Sequence, residues 1–156
     1  MSVALIAAVV LLGFSAGLRT FTAVAVVAWA VHVDHIDVDG TPFEFMISHT
    51  AVLILSLAAL GEYIFDLLPF VPPRTAIPGL IGRFVTGSFA AVVLLAAARQ
   101  SLGFCVIGGL VAIGGAFAGY QARTRLVRKL GVKDFLIATP EDLVAIGLAV
   151  VGVCLV

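Results

Sequence analysis

Apolar residues run along this chain in five long stretches, residues 3–31, 50–70, 77–98, 102–120 and 139–156, parted by short polar segments. A helix needs about 20 mainly apolar residues to cross the hydrocarbon core of a bilayer. Each stretch meets or approaches that length, the last being short but adequate with snorkelling or local thinning. None sustains the apolar-out, polar-in alternation of a membrane barrel. The pattern predicts an all-α fold, a polytopic membrane helical bundle of about five transmembrane helices forming one domain over residues 1–156. The first stretch, about 29 residues, would be about 43 Å long as one helix. A hydrocarbon core is only about 30 Å thick, so this helix must tilt strongly, protrude or break. A candidate break lies between Gly13 and Arg19, where two glycines flank a serine ahead of Arg19-Thr20. The alternative is a tilted helix whose small residues allow close packing. Met1-Ser2 offers no basic n-region and the apolar run resumes past Arg19, so the stretch reads as a helix rather than a cleaved leader.

Composition strengthens this picture. Apolar residues make up 62% of the chain and charged ones 12%, against about 45–50% and about 25% in soluble domains. A globular fold of this size has too little interior for so much apolar surface, whereas lipid accepts it on the outer faces of helices. A formal net charge of zero gives no reason to expect nucleic acid. Cys105 and Cys154 fall inside apolar runs and read as small hydrophobes. Arg74, Arg123, Arg125, Arg128, Lys129 and Lys133 gather on one side of the spans, and Asp34, Asp37, Asp39, Glu44 and Arg99 on the other. The positive-inside rule then predicts an inner (plasma) membrane protein with a cytoplasmic N-terminus and, over five spans, an extracytoplasmic C-terminus.

Ionisable residues at membrane depth cost at least about 2.5–3.5 kcal/mol on insertion scales, so each needs a reason. Arg19 sits mid-stretch. Glu62 and Asp66, four residues apart, share a helix face. Arg83 lies in the matching half of the next span, with Thr86 one turn later. Thr139-Pro140-Glu141-Asp142 reads as a helix start, with Thr139 as N-cap, Pro140 at N1 and acids over the positive dipole end. The simplest arrangement is a charge-paired cluster, Arg19 and Arg83 against Glu62, Asp66 and Asp142. Such a cluster either fixes helix register or lines a path for an ion, proton or polar head group. The candidate path residues are Arg19, Thr22, Glu62, Asp66, Arg83, Thr86 and Asp142.

Residues 102–120 carry six glycines, including Gly115 and Gly119 in small-xxx-small spacing, a face suited to internal packing or self-association. The adjoining Arg123, Arg125, Arg128 and Lys129 would meet anionic head groups, although a topology signal also accounts for them. His32, His35, Asp34, Asp37 and Asp39 form a loop that could hold a divalent ion. Calcium-loop spacing fails there, because the twelfth position is Phe45 or Ser48, and a solvated loop is expected. No nucleophile elbow, phosphate-cradling loop or zinc helix is present, so no enzyme, cofactor or metal is expected. The leading expectation is a small transporter or permease-like protein for an ion or small polar or anionic solute, assembled as a homo-oligomer in the lipid bilayer. The alternative is a membrane scaffold or accessory subunit that docks through the glycine face.

The segments Ser15-Ala16-Gly17-Leu18-Arg19-Thr20-Phe21-Thr22-Ala23, Gly61-Glu62-Tyr63-Ile64-Phe65-Asp66-Leu67-Leu68-Pro69-Phe70-Val71-Pro72-Pro73-Arg74-Thr75, Gly82-Arg83 and Pro140-Glu141-Asp142 resemble small bacterial membrane proteins grouped as domain of unknown function 4126. The resemblance spans nearly the whole chain in order, and Asp66-x-x-Pro-x-x-Pro-x-Arg-Thr is its most specific part. The family pattern has a Lys after the Asp where this chain has Leu67, so a pair made through that Lys is missing here. The resemblance implies a multi-span membrane protein and no particular activity.

Overall fold

The computed structural model describes residues 1–66, 76–131 and 134–156. Six α-helices are found among them: α1 (Val3–Leu18), α2 (Thr22–His32), α3 (His49–Phe65), α4 (Ile77–Ala97), α5 (Cys105–Leu130) and α6 (Asp134–Cys154). The all-α expectation holds. Three helical stretches, Ile77–Ala97, Leu102–Leu130 and Leu136–Cys154, are long and apolar enough to cross a membrane, while α1, α2 and α3 are apolar but shorter. Large apolar side chains stay exposed along the outer faces, Leu53, Leu57 and Leu60 on α3 and Leu143, Val150 and Val151 on α6 among them. Such a surface is consistent with a membrane protein.

Residues 3–31, expected as one span, are instead two antiparallel helices. The helix breaks at Arg19, which leaves it in extended conformation with φ −139° and ψ 116°. The chain then returns as α2 beside α3. Thr22 meets Tyr63 near the end of α3, Trp29 Nε1 donates to Ser56 Oγ at 3.0 Å, and His32 Nδ1 lies 2.7 Å from the Ile47 carbonyl just before α3 begins. With 16 and 11 residues, α1 and α2 are about 24 and 16 Å long, both shorter than a bilayer core. This break also overturns the expected placement of the termini. Met1 and Ser2 share a pocket with Leu155 and Val156, so both chain ends lie on one face of the bundle.

That face also holds the acidic loop, tied down by Arg99 Nη2 donating to the Asp39 carbonyl at 2.7 Å. The loop is less solvated than expected. Asp34, Asp37 and Asp39 stay exposed, but Ile36, Val38 and Met46 insert into the core, and Phe43 meets Phe89 edge to face. We call this the acidic end of the bundle.

At the basic end, Arg123, Arg125, Arg128 and Lys129 belong to α5 rather than to a loop, because the helix continues to Leu130. It stops at Gly131, whose φ of 62° is the left-handed cap conformation open to glycine. Arg74, Leu67 and Lys133 lie outside the described residues. The helix start expected at Thr139 is displaced, since α6 begins at Asp134 and Pro140 sits inside it. Packing explains the shift. Ala138, Ala145, Ala149 and Val153 form one buried stripe, and extending the helix upstream keeps Ala138 on that stripe at the loss of the Pro140 N–H bond.

Packing centres on α1, which lies against α4, α5 and α6, while α5 and α6 touch each other little. The α1–α5 and α4–α5 contacts are close enough to need glycine. A Cβ on Gly17 would sit 2.8 Å from Gly115 Cα, one on Gly115 2.9 Å from the Phe14 carbonyl, and one on Gly87 2.7 Å from the Gly108 carbonyl. The small residues of 102–120 thus serve internal packing, and the glycine face that a docking scaffold would need is already covered. In contrast, a Cβ on Gly114 would meet nothing within 4 Å among the described residues. Gly17→Ala should therefore lower stability by about 1–3 kcal/mol, the usual effect of overpacking. Gly114→Ala should be neutral or stabilising by up to about 1 kcal/mol, from helix propensity. Thermal unfolding in detergent measures both, and equal effects would refute the α1–α5 contact.

Candidate functional site

A broken helix leaves backbone groups without partners on both sides of the break. In a continuous helix the Phe21 N–H would bond the Gly17 carbonyl, and the Thr20 N–H the Ala16 carbonyl. Here two charged side chains from other helices take over. Glu62 of α3 accepts the Thr20 N–H at 2.7 Å on Oε1 and the Phe21 N–H at 2.9 Å on Oε2. Arg83 of α4 donates through Nε to the freed Gly17 carbonyl at 3.0 Å, and through Nη1 to the Gly79 carbonyl at 3.3 Å. The Glu62 carboxylate also lies at the positive end of the α2 dipole, where negative charge is favoured. Phe21, the residue at the N-cap of α2, supplies no side-chain cap of its own.

Arg19, at the break, is 1% exposed and pairs with Asp66 at the end of α3 and Asp142 of α6. The carboxylates are less enclosed, at 13% and 23% exposure. The Tyr63 ring stacks beside the guanidinium, 5.5 Å from ring centroid to Cζ, a cation–π geometry. The Tyr63 hydroxyl and Thr22 Oγ1 share a hydrogen bond of 2.7 Å. Nearby, Arg123 of α5 and Glu141 of α6 form an ion pair at 3.5 Å. Glu141 therefore does not cap a helix start, contrary to the expectation from sequence.

Arg83 lies six residues into α4 and Asp142 eight residues into α6, about 9 and 12 Å from the helix starts. The tip of the α1–α2 hairpin is thus recessed within the basic end. Of the seven candidate path residues, Arg19, Thr22, Glu62, Asp66, Arg83 and Asp142 gather around this tip. Thr86 does not join them; its hydroxyl donates to the Gly82 carbonyl at 3.0 Å on its own helix. The expected pairing of Glu62 with Arg side chains is replaced by its pairing with backbone N–H groups. Sequence reasoning missed three participants. Ser15 donates to the Ala145 carbonyl at 2.8 Å, Tyr63 contacts both Arg19 and Thr22, and Arg123 engages Glu141. Tyr63 was within reach of inference, being next to Glu62 and one turn from Asp66.

The histidines lie apart from this cluster at the acidic end. The His32 and His49 rings meet edge to face at 4.3 Å, and His35 Nε2 lies 3.2 Å from the Val153 carbonyl. Among the described residues, no three His, Cys, Asp or Glu side chains gather as metal ligands would.

Removing one member of a buried ion pair costs about 3–5 kcal/mol. Arg19→Leu should therefore lower stability by that order, whereas Thr86→Ala should change it by less than about 0.5 kcal/mol. Thermal unfolding in detergent distinguishes them, and a stable Arg19→Leu protein would show that the two aspartates do not depend on the guanidinium.

Comparison with curated proteins and with solved structures finds none that matches this chain. A family model does match, over residues 6–155, and that range takes in the hairpin tip and every side chain gathered around it. The chain belongs to the family described as Domain of unknown function (DUF4126).

Proposed function

We propose that this chain is a small integral membrane protein of the transporter or permease type, passing an ion or small anionic solute by way of the α1–α2 tip. One observation carries the reading: the Thr20 and Phe21 N–H groups at the start of α2 converge on one anionic group, the Glu62 carboxylate. Backbone N–H groups at a helix N-terminus bind carboxylates and phosphates readily. An arriving anion takes the place of Glu62, and the released carboxylate takes up a proton, so anion and proton movement are coupled. Arg83, on the Gly17 carbonyl, supplies positive charge beside the receptor. Broken helices with termini aimed at solute recur in transporters. The scaffold reading loses ground because its docking face is covered by α1 and α4.

A structural lock is the competing reading, favoured by the enclosure of Arg19 between two aspartates. Flux separates the two. In proteoliposomes holding a trapped pH-sensitive dye, an inorganic phosphate gradient should drive proton movement. Glu62→Gln keeps one acceptor oxygen for the Thr20 and Phe21 N–H groups and has no proton to exchange. It should abolish the proton movement while the protein still folds and stays monodisperse in detergent at a lowered unfolding temperature. Normal flux in the variant would sink the coupling, and no flux in the native protein would favour the lock.

The basic end faces the cytoplasm in this reading, which puts both termini outside. A membrane-impermeant maleimide should therefore label the exposed Cys154 and a Ser2→Cys variant alike in intact cells. Labelling from opposite sides would overturn the hairpin topology.

A further inference from the structure

A groove of about 490 Å³ runs along the basic half of the bundle between α5 and α6, floored by Phe14 and Leu18 of α1. It exists because α1 keeps α5 and α6 apart. Its walls are Ala122, Leu126 and Leu130 of α5 and Ile137, Pro140 and Val144 of α6. The volume falls within the range of about 300–1,000 Å³ typical of ligand sites. From Ala118 to Leu130 it follows α5 for twelve residues, a length of about 18 Å. Among the described residues, the charged side chains on its walls are Arg123 and Glu141, and these pair with each other. The interior therefore asks for an uncharged chain.

Its basic-end mouth asks for the opposite. Lys129 is seven residues beyond Ala122 and so falls on nearly the same helix face, one turn below Leu126. Arg125 flanks that face. Both are exposed, and Arg125 bonds Gln121 of its own helix at 3.4 Å. An open apolar furrow ending at a cationic rim has the chemistry of an anionic amphiphile. We propose that the groove holds one acyl chain of an anionic membrane phospholipid, with Lys129 and Arg125 receiving the headgroup phosphate. The inference rests on membrane residence and is independent of transport.

Native mass spectrometry of the protein released from nanodiscs of mixed phosphatidylglycerol and phosphatidylcholine tests it. The native protein should retain one phosphatidylglycerol molecule. Ala122→Trp, which fills the groove, should lower retention at least tenfold, and Val144→Phe, on the opposite wall, should do the same should the first variant misfold. Lys129→Gln should keep a lipid but reduce the preference for phosphatidylglycerol about fivefold, the effect of one basic residue near an anionic surface. Unchanged retention in the filled variants, an unchanged preference in Lys129→Gln, or a lipid-free dimer showing a second copy in the groove would each overturn the proposal. A protein that stays soluble without detergent or lipid would instead refute membrane residence itself.

Discussion

The fold depends on what happens to two backbone hydrogen bonds at residues 19–21. Breaking a helix strands N–H groups and carbonyls, and each group left without a partner costs several kcal/mol wherever lipid rather than water surrounds it. Glu62 takes two of the N–H groups and Arg83 takes the Gly17 carbonyl. The two charges act as a detachable substitute for a turn of helix, supplied from α3 and α4. This arrangement ties four helices, α1 to α4, together at one level. Arg19, projecting from the same break, adds α6 through Asp142, so the hairpin tip becomes the junction of five helices.

Close packing makes that junction possible. Gly17 both supplies the carbonyl that Arg83 receives and lies against Ala112 and Gly115 without room for a methyl group. A side chain there would push α1 away from α5 and lift the carbonyl from Arg83. Backbone approach through small residues is the usual substitute for hydrophobic driving force between helices in lipid. Here it also sets the electrostatics, because the helix axes determine which charged groups can reach the break.

Much of this was legible in sequence, and the failures share one cause. Apolar stretches gave the helices, since burial periodicity and length are local properties. The excess length of residues 3–31 signalled tilt or breakage, and the charges at Arg19, Glu62, Asp66 and Asp142 were correctly grouped. What local pattern could not reveal was direction after the break. A straight-through kink and a reversal carry the same residues, yet they place Met1 on opposite faces. The pairing of Glu62 failed for a related reason. Charge sign matches Glu62 to Arg side chains, whereas its partners are backbone donors that become free only once the helix breaks. The start of α6 was misplaced because Pro140 reads as a first-turn residue, while the Ala138 stripe that extends the helix becomes visible only against α1.

Polar groups are distributed unequally along the bundle axis. The charged cluster fills a level near the basic end, whereas Leu12, Val27, Val31, Leu94 and Leu95 pack without exposure in the core. The acidic loop covers this core with Ile36, Val38 and Met46. Between the tip and the acidic end the bundle is therefore a dry apolar core. The tip itself is held by Glu62 on the Thr20 and Phe21 N–H groups and by Arg19 on its two aspartates. The hairpin is thus anchored in two ways at once, by charge-assisted contacts at the break and by glycine contacts with α5 that are indifferent to charge.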